Sequence, residues 1–189
     1  VLGTVNPVRE IAAMAHRVGA HVVVDGSQGV PQLPTNVGAL GADLMAFTGH
    51  KMLGPTGIGV LWGRYDLLET LPPFLGGGEM IEVVRLTGST FAKPPARFEA
   101  GTPPIAQAVG LGAAVDYLQR IGMDKIAAHE QRVTAYALER LQAVEGVSIL
   151  GPTEAVDRGG AISFTVTTAD GTEVHPHDVM QLLDSRGIA

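Results

Sequence analysis

The segment HVVVD, residues 21–25, decides the fold of this chain. Its β-branched residues form a continuous run, which predicts a strand that is covered on both faces of a sheet and ends in an acid. Upstream, apolar residues between Pro7 and Val18 recur at helical spacing, and Gly19 ends the predicted helix. A helix that leads directly into a buried strand is the start of an α/β unit.

Two further strands are predicted close behind, over residues 44–47 and residues 57–62. The first of them runs into the segment TGHK, residues 48–51. The connections between the strands are too short to hold a crossover helix everywhere, and parallel neighbours need such a crossover. We therefore predict a mixed sheet rather than a purely parallel one.

The rest of the chain divides into an irregular stretch and a second α+β part. Residues 71–102 are rich in Pro and Gly and show little periodicity, and a long irregular segment in a compact protein is usually functional or buried against a partner. A boundary near residue 120 is predicted, so that residues 1–120 belong to a large domain and residues 121–189 to a smaller one. The remaining predictions are helices over 104–121, 124–144 and 177–186 and strands over 147–150 and 161–166.

Composition excludes several classes of function. The formal net charge is −6 and the basic residues are scattered, so the electrostatic surface of a nucleic-acid-binding protein is missing. No apolar run approaches the roughly 20 residues of a membrane-spanning helix, and no signal segment is visible, so a cytoplasmic protein without a membrane role is expected. The chain has no cysteine, which rules out disulfides, zinc–thiolate sites and a thiol nucleophile within these residues.

The spacing of the two histidines in His175-Pro176-His177 could suggest a metal pair. No third group of ligands stands near them in the sequence. Both histidines lie at the predicted start of a helix, where polar residues and proline serve structure. No metal site is expected.

Asp25 and Lys51 stand at the carboxyl ends of predicted neighbouring strands, where open α/β sheets bind their ligands. A lysine there can condense with an aldehyde cofactor, and a carboxylate paired with a pyridine nitrogen keeps that nitrogen protonated, so that the ring accepts electrons. The alternative is structural: Asp25 would cap a turn with Gly26, and Lys51 would be a solvated loop residue. Composition and the strand pattern alone favour the structural alternative.

Several longer segments resemble the signature segments of the class V aminotransferase-fold enzymes and, within that superfamily, of the Suf-type cysteine desulfurases. The resemblance extends over essentially the whole chain. It implies the type I fold of pyridoxal 5'-phosphate (PLP) enzymes, with a mixed, mostly parallel α/β sheet in a large domain and the start of a smaller α+β C-terminal domain. The segments that carry it are VLGT (1–4), VDGSQ (24–28), FTGHKMLGPTGIG (47–59), GGGEMI (76–81), RFEAGTP (97–103) and HPHDV (175–179).

The resemblance also implies roles for individual residues. Lys51 would hold PLP as a Schiff base and later move protons, and Asp25 would pair with the pyridine nitrogen. Thr102 matches a threonine that reaches the phosphate of the neighbouring subunit, although without the resemblance it would be interpreted as a helix cap before Pro103. The other implied cofactor contacts are Gln28 to the phenolic oxygen and Thr48 and His50 to the phosphate, and the family more often has Ser where Thr48 stands.

The activity implied by the resemblance is that of a PLP-dependent cysteine desulfurase. Such an enzyme converts L-cysteine to L-alanine and passes the sulfur to an enzyme cysteine as a persulfide, for iron–sulfur cluster assembly. The implied partners are L-cysteine or a selenocysteine-like amino acid, a second copy in a homodimer and a sulfur-acceptor protein. Since the chain has no cysteine, we expect an internal fragment that is inactive alone and lacks both the upstream part and the cysteine loop.

Two alternatives stay open at this point. The first is a class V relative with other chemistry, such as a selenocysteine lyase, an aminotransferase or an epimerase, because these enzymes share the PLP residues. The second is a non-catalytic remnant or partner-binding module that keeps the fold without turnover.

Overall fold

The computed structural model describes residues 1–188. Within them, no helix combines the length and the apolar character needed to cross a membrane. The helices are α1 (Val8–Arg17), α2 (Val37–Leu40), α3 (Tyr65–Thr70), α4 (Ile105–Ile121), α5 (Met123–Gln142) and α6 (Pro176–Asp184). The strands are β1 (Val23–Asp25), β2 (Leu44–Thr48), β3 (Gly59–Gly63), β4 (Ile81–Arg85), β5 (Gly88–Phe91), β6 (Val147–Leu150) and β7 (Ser163–Val166).

The chain folds as two compact units. The sheet unit is Pro7–Met123, and the C-terminal unit combines Val1–Asn6 with the described part of Asp124–Ala189. The first six residues thus pack with a unit that is distant in sequence, which no local pattern indicates. The assignment of residues 1–120 to a large domain and of residues 121–189 to a small one stays a prediction.

The sheet unit is built on three strands in the order β1-β2-β3. β1 and β2 are parallel, with Val23 opposite Leu44 and Asp25 opposite Ala46. β2 and β3 are antiparallel, with Leu44 opposite Gly63. The predicted mixed sheet is therefore confirmed. The short connection between β2 and β3 is the physical reason, because it can join antiparallel neighbours but cannot hold a crossover helix.

β1 is shorter and more exposed than its sequence suggests. The strand covers only Val23–Asp25, and Val23 is 65% exposed. The prediction of a strand covered on both faces is therefore wrong for the described residues. β-branched residues favour a strand, but they do not report how many layers cover it. Burial is concentrated in β2, where Met45 is 1% exposed.

The segment over residues 71–102 contains a β-hairpin that the sequence does not predict. β4 and β5 are antiparallel and pair Arg85 with Gly88 across the turn. Most side chains of the hairpin are exposed, and Leu86 is fully exposed. Because no alternation between buried and exposed positions marks these strands, the period-2 pattern that identifies a strand is missing.

Arg97 holds the base of this hairpin in place. Its guanidinium donates hydrogen bonds to the main-chain carbonyls of Ala92 at 2.9 Å, Glu69 at 2.8 Å and Leu71 at 3.1 Å. The three bonds join the end of α3 to the segment that follows β5. The Arg97 side chain thus links the beginning of the irregular segment 71–102 to a point near its end, where the chain has little regular secondary structure.

The C-terminal unit contains a two-stranded antiparallel sheet, β6-β7. The first residues of the chain lie against it: the Ser163 hydroxyl donates to the Val1 carbonyl at 2.7 Å, and the Gly159 N–H donates to the Gly3 carbonyl at 2.7 Å. On α5, Leu138 is 2% exposed and belongs to the core. The long helix predicted over 124–144 is confirmed with a shift of one to two residues at its ends.

His175 and His177 stand at the start of α6, as predicted. His175 is the N-cap residue, and its Nδ1 accepts a hydrogen bond from the His177 N–H at 3.2 Å. The two rings meet edge to face with centroids 4.9 Å apart. This geometry gives both histidines a structural part in the helix terminus.

Candidate active site

Asp25 ends β1 and turns its carboxylate into the loop that follows. Its Oδ1 accepts a hydrogen bond from the Ser27 N–H at 2.9 Å. The next residue has no side chain for a steric reason: a Cβ on Gly26 would lie 2.9 Å from Val30 Cγ2 and 3.3 Å from Met45 Sδ. The Gly26 N–H also donates to the Ala46 carbonyl at 2.8 Å, so the turn is joined to β2.

The surroundings of Asp25 keep it ionised. Hydrogen bonds from the hydroxyl and the N–H of Ser27 hold the pKa of Asp25 below its ordinary value, and the positive charge of Lys51 lowers this pKa further. The carboxylate is exposed. Asp25 is therefore a permanent, accessible negative charge that lies within electrostatic range of the lysine after the next strand.

Thr48 and His50 meet at the end of β2. Thr48 Oγ1 and His50 Nδ1 are 2.8 Å apart, within hydrogen-bonding distance. The segment that carries them is not an extended strand, because Gly49–Met52 form a 3-10 turn. The close fit of this turn needs Gly49, since a Cβ there would lie 2.9 Å from Ile58 Cγ2. The turn itself therefore brings the hydroxyl and the imidazole together.

The other predicted site residues lie around this edge or before α4. Lys51 and Gln28 are both exposed, in the 3-10 turn after β2 and in the loop after β1. Thr102 is exposed as well. Its interpretation as a helix cap is wrong, because α4 begins at Ile105 behind Pro104 and has no side-chain cap. Among residues 1–188, no hydrogen bond joins Thr102 to the other predicted site residues.

One cluster of charged residues was not predicted. Asp43 directly precedes β2 and is 0% exposed. Its Oδ2 accepts from the Val22 N–H at 2.8 Å and lies 2.8 Å from His16 Nε2, and its Oδ1 accepts from Arg64 Nη1 at 2.9 Å. Burial raises the pKa of Asp43, but these three partners outweigh burial and bring it to about 2. The sequence does contain a signal for this cluster. An acidic residue directly before an apolar strand is buried together with the strand, and a buried charge needs partners.

The residues at the end of β1 and β2 fit the cofactor that the family resemblance implies. Lys51 offers an amine, Asp25 offers a carboxylate whose lowered pKa keeps it charged, and Thr48 with His50 offers donors for phosphate oxygens. All but the half-buried Thr48 are exposed, so a group of the size of PLP can reach them. Their individual roles stay predictions.

Comparison with known proteins supports the family resemblance that the sequence segments indicate. The model of the aminotransferase class-V family matches residues 1–189. A probable cysteine desulfurase of Streptomyces coelicolor is 62% identical over 189 residues, which are 100% of this chain and 44% of that protein. The chain thus spans less than half the length of this curated relative.

Solved structures match the fold. The apo structure of a cysteine desulfurase from Thermococcus onnurineus NA1 superposes with a TM-score of 0.85 at 38% identity, over 100% of this chain and 46% of that one. The cystine C-S lyase C-DES, in complex with its reaction product cysteine persulfide, gives a TM-score of 0.82 at 31% identity over 99% of this chain and 49% of its own. The predicted type I fold is confirmed by these matches. The chain belongs to the aminotransferase class-V family, and its homologues over the whole length include cysteine desulfurases.

Proposed function

We propose that this chain is the cofactor-binding part of a PLP-dependent cysteine desulfurase. The observation that carries the proposal is that Asp25 ends β1 and Lys51 follows the parallel neighbour β2, close enough for its charge to lower the pKa of Asp25, in a chain that belongs to the aminotransferase class-V family. Activity, substrate and partners of the whole protein are part of the proposal, because the chain covers 44% of the similar desulfurase.

Each residue of the site has a task in this proposal. PLP, when bound, supplies a ring that accepts the electrons of a bond broken at the substrate Cα. Lys51 would bind the cofactor aldehyde through Nζ and move the proton at the substrate Cα. Asp25, which is ionised, would keep the ring nitrogen protonated. Thr48 and His50 would donate to phosphate oxygens, and Gln28 would bond to the phenolic oxygen.

The proposed reaction balances without an external oxidant. L-cysteine and an enzyme thiol give L-alanine and an enzyme persulfide: the Cβ–S bond breaks, an S–S bond forms, and the thiol proton is returned to carbon. The chain contains no cysteine, so the thiol would come from elsewhere in the whole protein. Delivery of the sulfur to an acceptor protein for iron–sulfur cluster assembly, and a cytoplasmic location, belong to the same proposal.

A second candidate function is cleavage of a carbon–sulfur bond without an enzyme thiol. One observation favours it: the similarity to a cystine C-S lyase at 31% identity. Such an enzyme would use the same lysine and aspartate. The two candidates differ in their products and in their need for a thiol.

The test gives the whole protein L-cysteine or L-cystine and quantifies alanine and cysteine persulfide, with free PLP as the background control. Alanine from L-cysteine that disappears after iodoacetamide treatment supports the desulfurase. Persulfide from L-cystine that survives the treatment supports the lyase. A protein that forms neither product above the control is the non-catalytic module. The 189-residue chain alone should release no alanine, since it offers no thiol.

We also propose that the whole protein is a homodimer in which Thr102 serves the cofactor of the other subunit. Thr102 is exposed, and the preceding Gly101 N–H donates to the Gly78 carbonyl at 3.0 Å, which fixes the loop that presents it. Mixed Thr102→Ala and Lys51→Ala subunits test this arrangement, because one site of the heterodimer would carry neither change. Recovery of activity is expected. No recovery after proven subunit exchange would contradict it.

A further inference from the structure

One buried residue, Asp43, contacts the segments that flank all three strands of the sheet at the end opposite the candidate site. The Val22 carbonyl, just before β1, accepts from the Asp43 N–H at 3.0 Å and from the Leu44 N–H at 3.2 Å, and the Asp43 carboxylate closes the contact through the Val22 N–H. On the other side, the Arg64 N–H, just after β3, donates to the Asp43 carbonyl at 3.0 Å. Asp43 therefore joins the start of β1, the start of β2 and the end of β3.

We propose that Asp43 is a positioning residue for the candidate cofactor site, because it fixes the register between β1 and β2 and thereby the place of Asp25 relative to Lys51. The inference rests on the proposed function, since Asp25 and Lys51 matter as a pair only if they hold the cofactor. Asp43 does not act on the cofactor itself. It acts through the backbone of the two strands.

Because β1 is short, an additional contact that fixes its register matters. The strand has three residues, and its register with β2 rests on the pairs Val23 with Leu44, Val24 with Met45 and Asp25 with Ala46. A slip of one residue would turn every side chain of β1 to the opposite face of the sheet. The Asp25 carboxylate would then change its place relative to Lys51, whose charge it senses in the correct register.

The segment between the Asp43 contact at Val22 and the candidate site at Asp25 is short. Asp25 is the third residue after Val22, which corresponds to about 10 Å of extended chain at roughly 3.3 Å per residue. The Gly26 N–H, one residue further, bonds to the Ala46 carbonyl at 2.8 Å and reports whether the register holds at the site end. A change at Val22 should therefore be visible at Gly26.

The sharpest variant deletes one donor and leaves the charge cluster complete. Val22→Pro removes the N–H that binds Asp43 Oδ2 but keeps Asp43 with its His16 and Arg64 partners, and Val22 precedes β1, so its N–H is not part of the strand pairing that proline would disrupt. Val22→Ala is the matched control, because it shortens the side chain and keeps the N–H. Both are made in the whole protein, alone and combined with Asp25→Asn.

Two readouts are expected to agree. In the protein without added PLP, hydrogen exchange at the Gly26 amide should be about 10-fold faster in Val22→Pro and unchanged in Val22→Ala. With PLP and L-cysteine, Val22→Pro should lower kcat/KM about 10- to 100-fold in the parent. In the Asp25→Asn background the same change should cost less than about 3-fold, because the residue through which it acts is already lost.

The outcomes separate this inference from the proposed function. An unchanged Gly26 exchange rate, or an equal loss of kcat/KM in both backgrounds, overturns the positioning role while the proposed function stands. Full activity of Asp25→Asn alone overturns the role of Asp25 and the positioning role with it. If Val22→Pro does not fold, Asp43→Asn replaces it with Asp66→Asn as control, since Asp66 binds Arg64 but no strand. Unchanged Gly26 exchange in folded Asp43→Asn then overturns the inference.

Discussion

The two ends of the three-stranded sheet use aspartate in opposite ways. Asp43, at the start of β2, is fully buried and its two oxygens are bonded to three other segments of the chain. Asp25, at the end of β1, is exposed and bonded only within its own turn. A carboxylate whose partners are complete holds a structure together, whereas an accessible one can accept a ligand. Stability and proposed chemistry thus lie at opposite ends of the same strands.

The largest effect should come from the exposed aspartate. Asp25→Asn is expected to lower desulfurase turnover about 100-fold while cofactor binding is partly kept, because an amide cannot hold the ring nitrogen protonated. Alanine release and PLP absorbance measure the two quantities in the whole protein. Asp170→Asn is the matched control, since Asp170 is also bonded within its own turn, to Thr168 and Thr172. Unchanged turnover in Asp25→Asn would contradict the proposed role of Asp25, and with it the functional difference between the two ends of the sheet.

The buried aspartate should matter for stability. Asp43→Ala leaves the Val22 N–H without its partner, and an unsatisfied buried donor costs about 1 to 3 kcal/mol of unfolding free energy, whereas the half-exposed Arg64 guanidinium is solvated by water instead. Asp66→Ala removes the exposed carboxylate that also binds Arg64 and should cost less, because solvent screens an exposed ion pair. Urea denaturation of the three proteins gives the values. Equal losses would mean that burial does not distinguish the two carboxylates.

Acid should remove the advantage of Asp43. Its pKa is lowered from 3.8 to about 2, so its contribution to stability is fully present above pH 3.8 and is lost as the pH falls toward 2. The difference in thermal midpoint between the parent and Asp43→Asn should therefore be largest near neutral pH and shrink between pH 4 and pH 2. A difference that stays constant over this range would contradict the assignment of the lowered pKa to Asp43.

Sequence patterns predicted the long elements and missed the exposed or short ones. α1, α4 and α5 were predicted to within two residues, because several turns of apolar periodicity identify a helix that packs on one side. The β4-β5 hairpin was missed because its side chains are mostly exposed, and α2 and α3 were missed because one turn carries no periodic signal. The exposed face of β1 depends on tertiary packing, which the residues of the strand do not encode locally.

The candidate site was also predicted only in part from the sequence. The placement of Asp25 and Lys51 at neighbouring strand ends followed from the strand pattern, and their individual roles followed only from family resemblance. The contact between Thr48 and His50 depends on a 3-10 turn that the spacing did not predict. The partners of Asp43 come from positions 21, 27 and 21 residues away, so no local motif could identify them.

The central claim is that Lys51 is the cofactor lysine, and reductive trapping tests it most directly. The whole protein, loaded with PLP, is reduced with borohydride, digested and mapped by mass spectrometry. We expect a phosphopyridoxyl adduct on the peptide that contains Lys51, and its loss in Lys51→Ala. An adduct on Lys93 or Lys125 instead, with Lys51 unmodified, would contradict the claim.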